Sequence, residues 1–140
     1  MSDFNQAIID EFRANNGKVG GYFAGANMLL LHTVGAKSGQ ARTNPVVYVT
    51  DGDRLVVIAS NWGQRQHPAW YHNLCAHREA TLTVGGVSRR VQAHEAVGEE
   101  RVRLWQQDLE VYPGRTAYAR RAAYRPIPVV VLAPVPDQPG

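Results

Sequence analysis

Two pairs of strand-length apolar runs, each joined at a tight-turn dipeptide, constrain this chain more than any other feature. Pro45 to Thr50 and Arg54 to Ala59 flank Asp51-Gly52, and Ala80 to Val84 and Val87 to Ala93 flank Gly85-Gly86. Such dipeptides supply the positive φ angles of turns whose twist matches that of paired strands, so each pair reads as an antiparallel hairpin. Val46-Val47-Tyr48-Val49 and Leu55-Val56-Val57-Ile58 are apolar on both alternating faces, which predicts a sheet covered on both sides. Asn27 to Thr33, around Met28-Leu29-Leu30-Leu31, and the β-branched run Ile127 to Ala133 add further strands.

Helical spacing sets the remaining elements. Asp3 to Asn15 puts Phe4, Ala7, Ile8 and Phe12 on one face, and Pro68 to Arg78 groups Trp70, Leu74 and His77. Glu99 to about Tyr112 turns Val102, Trp105, Leu109 and Tyr112 inward, and a shorter helix follows Pro113-Gly114 as far as Arg120. This order lacks βαβ alternation and predicts an α+β fold, a small antiparallel barrel with packed helices. At 140 residues, 44% hydrophobic and 19% charged, there is material for one core. Residues 1–26 form an amphipathic helix and a glycine-rich approach, 27–134 the barrel domain and 135–140 a tail. The polar start and the lack of a long apolar run predict a cytoplasmic protein. Cys75, the single cysteine, is expected to be a buried, inert thiol.

The formal charge of +3 favours acidic ligands, but the cations are spread along the chain, which argues against nucleic acid. The segment Thr33-Val34-Gly35-Ala36-Lys37-Ser38-Gly39-Gln40-Ala41-Arg42-Thr43-Asn44-Pro45 combines glycines, a hydroxyl and two cations at a strand end. Amides freed by Gly35 and Gly39, with the charges of Lys37 and Arg42, would cradle a phosphate; a solvated basic turn fits the residues equally well. Ala36 stands where a Walker loop needs glycine, and no G-x-G-x-x-G opens a helix. His67, His72 and His77 are rotated about 140° from one to the next on a helix and cannot converge on one metal ion, so no metal site is expected. Ser38, Ser60 and Cys75 lack the setting of an activated nucleophile. Ala59-Ser60-Asn61-Trp62-Gly63 and His67-Pro68-Ala69-Trp70-Tyr71-His72-Asn73 could wall a planar ring, although Trp70 and Tyr71 alone read as core aromatics.

Thr-x-Gly-x-Lys-Ser-Gly-x-x-Arg-x-x-Pro, Ala-Ser-Asn-x-Gly, His-Pro-Ala-Trp-Tyr-x-Asn-Leu, Gly-Glu-Glu-Arg, Val-Tyr-Pro and Ile-Pro-Val occur in this order between about Leu30 and Pro134. This sequence closely resembles the deazaflavin-dependent nitroreductases and F420H2-dependent quinone reductases. The resemblance implies a split antiparallel β-barrel of the FMN-binding, pyridoxamine-phosphate-oxidase-like type. It implies coenzyme F420, an 8-hydroxy-5-deazaflavin with a phosphate and an oligoglutamate tail, as hydride donor to an electron-poor quinone, nitroaromatic or enone. Lys37, Ser38, Gly39 and Arg42 match the phosphate loop, Thr43 and Asn44 adjoin it, and Ala59, Ser60, Asn61, Trp70 and Asn73 match the deazaflavin pocket. Tyr112 and Tyr118 match tyrosines that flank the acceptor, and Ser60 or Tyr118 could hydrogen-bond its oxygen, which makes these three the catalytic candidates. Trp62 departs from a common glycine and Arg115 from an aromatic, which bears on acceptor choice. An FMN-dependent reductase and a non-catalytic F420 or lipophilic-ligand carrier are the alternatives. Peripheral membrane contact through Phe4, Ile8 and Phe12 is a further expectation, and the oligomeric state stays open.

Overall fold

In the computed structural model, residues 3–15, 27–59, 66–113 and 127–135 are described. The elements run α1 (Asp3–Ala14), β1 (Met28–Val34), β2 (Ala41–Asp51), β3 (Arg54–Ile58), α2 (Ala69–Ala76), β4 (Glu79–Val84), β5 (Val87–Glu95), α3 (Gly98–Val111) and β6 (Val129–Pro134). Both expected hairpins form, with Gly52 and Gly85 at φ +62° and +60° at their turns. All neighbouring strands pair antiparallel, and the order β1-β2-β3-β6-β5-β4 closes into a barrel. Closure leaves no open sheet edge to recruit another strand.

Residues opposite each other in a ladder share a face, so the register sorts the side chains. Leu29, Leu31, Val46, Val57, Leu82, Val91, Ala93, Val130 and Leu132 form one buried cluster with Trp70 and Leu74 of α2. On the other face, Val49, Val56, Ile58, Val129 and Val131 pack with Leu104 of α3, and Met28 and Leu30 pack with Ile9 and Phe12 of α1. The two-sided burial read from the apolar runs therefore has its cause in helices laid over the barrel wall.

Four details differ from the sequence expectations. Strand β2 begins at Ala41, because Thr33↔Arg42 and His32↔Thr43 continue the ladder. Helix α3 is rotated: Leu104 and Asp108 are buried and Val102 is 63% exposed, with Trp105 and Tyr112 on the flank of the contact. In this orientation Leu104 packs on the strands and Arg101 donates from Nη1 to the Ile127 carbonyl at 2.6 Å. On α1 the docking pair is Ile9 and Phe12, while Ala7 is exposed. Cys75 and His77 are exposed, because α2 turns Trp70, Asn73 and Leu74 inward.

The β2–β3 hairpin is tied to α3 by charge. Asp51 accepts from Arg103 Nη1 at 2.8 Å and Arg54 Nη2 at 2.5 Å, and Arg54 Nη1 reaches Glu100 Oε2 at 3.2 Å. The Arg103 and Arg54 guanidinium groups hold the Asp51 carboxyl down at about 2, against an ordinary 3.8. A lowered folded-state value means that the stabilisation is complete above about pH 4 and fades as pH falls toward 2. Asp51→Asn is therefore expected to lose on the order of 1 kcal/mol at pH 7, allowing for solvent screening. Urea unfolding from pH 7 to pH 2 should show the gap between variant and parent closing in the acid range; a gap of constant size would show that the carboxylate charge is not what holds the hairpin.

Candidate functional site

The β1–β2 ladder ends at Val34↔Ala41, leaving Gly35 to Gln40 as its turn. The Gly35 amide donates to the Gln40 carbonyl at 2.8 Å and the Gly39 amide to the Gly35 carbonyl at 2.9 Å. The Gln40 amide donates to Ser38 Oγ at 3.2 Å. Gly39 sits at φ +70°, in the left-handed region that favours glycine. A Cβ on Gly35 would lie 2.5 Å from Ser38 Oγ, so the hydroxyl needs the space that this glycine leaves.

The amides of Gly35 and Gly39, which the sequence suggested as anion donors, are thus consumed inside the turn. The consecutive amides of Lys37 and Ser38 are the ones with no acceptor among the described residues. Lys37 and Arg42 are exposed, and neither forms an ion pair among the described residues. Two adjacent N–H groups with two uncommitted cations nearby suit an anion, above all a phosphate.

Antiparallel order gathers the C-terminal ends of β1, β3 and β5 at one mouth of the barrel. Ala59 follows β3, is buried in the same cluster as Trp70, and its amide donates to the Pro128 carbonyl at 3.0 Å. Register puts Arg42 beside Thr33 and Asn44 beside Leu31, on the inward face. Thr43 falls on the opposite face, its hydroxyl 3.0 Å from His32 Nδ1, and the other ring nitrogen of His32 lies 2.9 Å from Thr83 Oγ1. Burial, and then the Arg13 charge, lower the His32 pKa and favour a neutral ring. One of these threonines must therefore donate and the other accept.

Helix α2 covers part of the mouth. Its buried Trp70 and Leu74 enter the barrel cluster, and Asn73 lies between them on the same face. Asn73 Nδ2 donates to Thr33 Oγ1 at 3.0 Å, and its Oδ1 accepts from the Ala36 amide at 2.9 Å. Tyr71 donates to Glu95 Oε1 at 2.5 Å; burial first, and then this carboxylate, push the Tyr71 pKa up and keep the phenol protonated. His67 stacks at a tilt on Tyr71, with ring centroids 4.7 Å apart. The sequence reading omitted the Thr33–Asn73–Ala36 link because it joins positions up to 40 apart and appears only when the barrel closes.

Tyr112 lies elsewhere. Its hydroxyl accepts from the Asn27 amide at 3.2 Å and donates to the Tyr48 carbonyl at 3.4 Å. Asn27 precedes β1 and the turn follows it, which separates them by on the order of 20 Å along the strand. The structure thus gathers Lys37, Ser38, Gly39, Arg42 and Asn73 at the turn, with Asn44 next along the inward face of β2, sets Ala59 and Trp70 in one buried cluster, and places Thr43 on the opposite face and the Tyr112 hydroxyl against Asn27 and Tyr48. Ser60, Asn61, Trp62, Arg115 and Tyr118 lie outside the described residues.

Residues 6–134 match the family described as F420H(2)-dependent quinone reductase. The chain is 41% identical over 127 residues to an F420H(2)-dependent quinone reductase of Mycobacterium tuberculosis (strain H37Rv), covering 86% of this chain and 83% of that one. The solved structure of an F420-H2 dependent reductase (FDR-A) superposes with a TM-score of 0.69 at 33% identity, covering 76% of this chain and 93% of that one. A pyridoxamine 5'-phosphate oxidase-like protein from Listeria innocua shares the fold with a TM-score of 0.53 at 11% identity, covering 77% of this chain and 83% of that one.

The turn's geometry makes Gly35 a sensitive position. Gly35→Ala is expected to displace the Ser38 hydroxyl and release the Gln40 amide, at a cost of about 1 kcal/mol. Amide hydrogen exchange should show faster exchange at Gln40 with the barrel strands unchanged. Unaltered protection of Gln40 would mean that Ser38 does not cap the turn.

Proposed function

This chain belongs to the F420H(2)-dependent quinone reductase family, and on that premise we propose that it holds coenzyme F420 at the mouth formed by the Gly35–Gln40 turn, the end of β3 and α2. It is an oxidoreductase that draws on F420H2 and reduces a quinone. The observation that carries the site assignment is the pair of adjacent amides at Lys37 and Ser38, without an acceptor among the described residues, beside the cations of Lys37 and Arg42. An anionic coenzyme with a phosphate matches that donor set, whereas a neutral ligand would leave both charges unused.

Lys37, Ser38 and Arg42 hold the phosphate, and Gly39, its amide spent on the Gly35 carbonyl, shapes the turn through its positive φ angle. Asn44, Ala59, Ser60, Asn61 and Trp70 line the ring site at the strand ends, where buried Trp70 and Ala59 give an apolar wall that excludes water. When bound, the reduced deazaflavin supplies hydride to the acceptor. Ser60 and Tyr118 hydrogen-bond the acceptor oxygen and stabilise the negative charge that builds there, a role that extends to nitroaromatics and enones. The Tyr112 hydroxyl, engaged by the backbone of Asn27 and Tyr48, anchors the end of α3. Peripheral membrane contact through α1 gains no support, since Ile9 and Phe12 are spent on the barrel.

Titration of the purified protein with F420, with FMN as comparison, tests the site. Lys37→Ala and Arg42→Ala are each expected to raise the F420 Kd about tenfold, the loss of one charge-assisted contact, while kcat at saturating coenzyme stays within about twofold. Affinity unchanged in both variants would remove the turn from the site, and tighter binding of FMN would overturn the coenzyme assignment. Ser60→Ala and Tyr118→Phe should lower quinone turnover about tenfold or more at constant F420 Kd. Full turnover in both would show that the acceptor is oriented by other groups.

A further inference from the structure

We infer that Asn73 is a positioning residue which sets the anion-binding shape of the Gly35–Gln40 turn from inside the barrel mouth. This inference rests on the proposed role of that turn. Asn73 is 6% exposed and Thr33 is 5% exposed, so their bond lies away from water. The Ala36 amide can only donate, which assigns Oδ1 of Asn73 to it and leaves Nδ2 to donate to Thr33 Oγ1. Each end of this side-chain amide thus bonds a protein group, with one N–H and one lone pair left over.

The location of the two bonds gives them their effect. The bond to Ala36 fixes the peptide plane immediately before the Lys37 and Ser38 amides, the two turn donors without an acceptor among the described residues. The bond to Thr33 fixes the last inward-facing residue of β1, directly opposite Arg42 in the ladder. One side chain thus references both the amides and the strand position of the second cation to a helix that cannot slide, because Trp70 and Leu74 are buried on either side of it. A turn held in its binding shape before the ligand arrives does not have to be ordered by the ligand, and that saving appears as affinity. A leucine at position 73 would keep the bulk and lose both bonds, leaving the Thr33 hydroxyl and the Ala36 amide without these partners.

The roles of brace, coenzyme contact and positioning residue separate by experiment. Asn73→Leu, Thr33→Val and the double variant would be compared for F420 Kd, quinone kcat at saturating coenzyme, and Tm. Asn73→Leu is expected to raise the F420 Kd about tenfold and Thr33→Val about threefold, with kcat within twofold of the parent. The double variant should match Asn73→Leu, since both substitutions break one link. A lowered Tm with unchanged F420 Kd would overturn the inference in favour of a brace for the fold. A fall in kcat at saturating coenzyme would overturn it in favour of a contact with the reacting ring. If Asn73→Leu does not fold, Thr33→Val, which leaves the Ala36 bond in place, decides by the same readouts. Lys37→Ala and Arg42→Ala serve as the control: weakened binding there with normal binding in the Thr33 and Asn73 variants overturns this inference alone, whereas normal binding in all of them removes the turn from the site.

Discussion

Closing six antiparallel strands into a ring obliges every backbone donor and acceptor along the ladder to find a partner and fixes which strand ends can meet. In this chain the requirement brings the ends of β1, β3 and β5 to one mouth, although Val34, Ala59 and Glu95 are far apart in sequence. It also turns Leu29, Leu31, Val57, Leu82 and Val130 into a common interior that α2 can enter with Trp70 and Leu74. The mouth is therefore a product of barrel closure, and the surfaces available to a ligand there follow from which side chains the register turns inward.

Charge is distributed so that the two sides of β2 behave differently. At its end, Asp51 neutralises Arg54 and Arg103, and Glu100 takes a second bond from Arg54 together with one from His94. At its beginning, Arg42 and the neighbouring Lys37 have no acid counterpart among the described residues. A hairpin stapled at one end and without acid partners among the described residues at the other gives an anionic ligand a favourable place to bind at the start of this strand. The neutral His32, held by Thr43 and Thr83 on the outer face, adds no competing charge beside it.

Strand pairing was legible because it depends on local signals. Asp51-Gly52 and Gly85-Gly86 name their own turns, and the apolar runs beside them need no distant information. The rotation of α3 was not legible, because Val102, Trp105, Leu109 and Tyr112 do form an apolar face. The barrel instead receives Leu104, packed with Val56, Val129 and Val131, and Asp108, while Arg101 bonds the Ile127 carbonyl, contacts that join distant parts of the chain. The basic turn was found from composition, yet its donors were misassigned. Glycine is required at position 39 for its φ angle and at position 35 for the space it leaves to Ser38, and neither requirement makes its amide available. Alternation along β2 likewise separates Thr43 from Arg42 and Asn44, a consequence of the strand starting four residues before Pro45.

A barrel of this kind carries no commitment to one coenzyme, since the same wall of alternating side chains can be kept while the mouth is rebuilt. Selectivity for a phosphate-bearing ligand must then come from groups whose direction is fixed independently of the wall. The Lys37 and Ser38 amides meet that condition, because backbone donors keep the orientation that the turn imposes on them. Their direction is transmitted through Ala36 to Asn73, and from Asn73 to a helix packed into the core. In the proposed site the buried aromatic Trp70 would serve twice, as part of the apolar wall and as the anchor that keeps Asn73, and through it the turn, in register with Arg42.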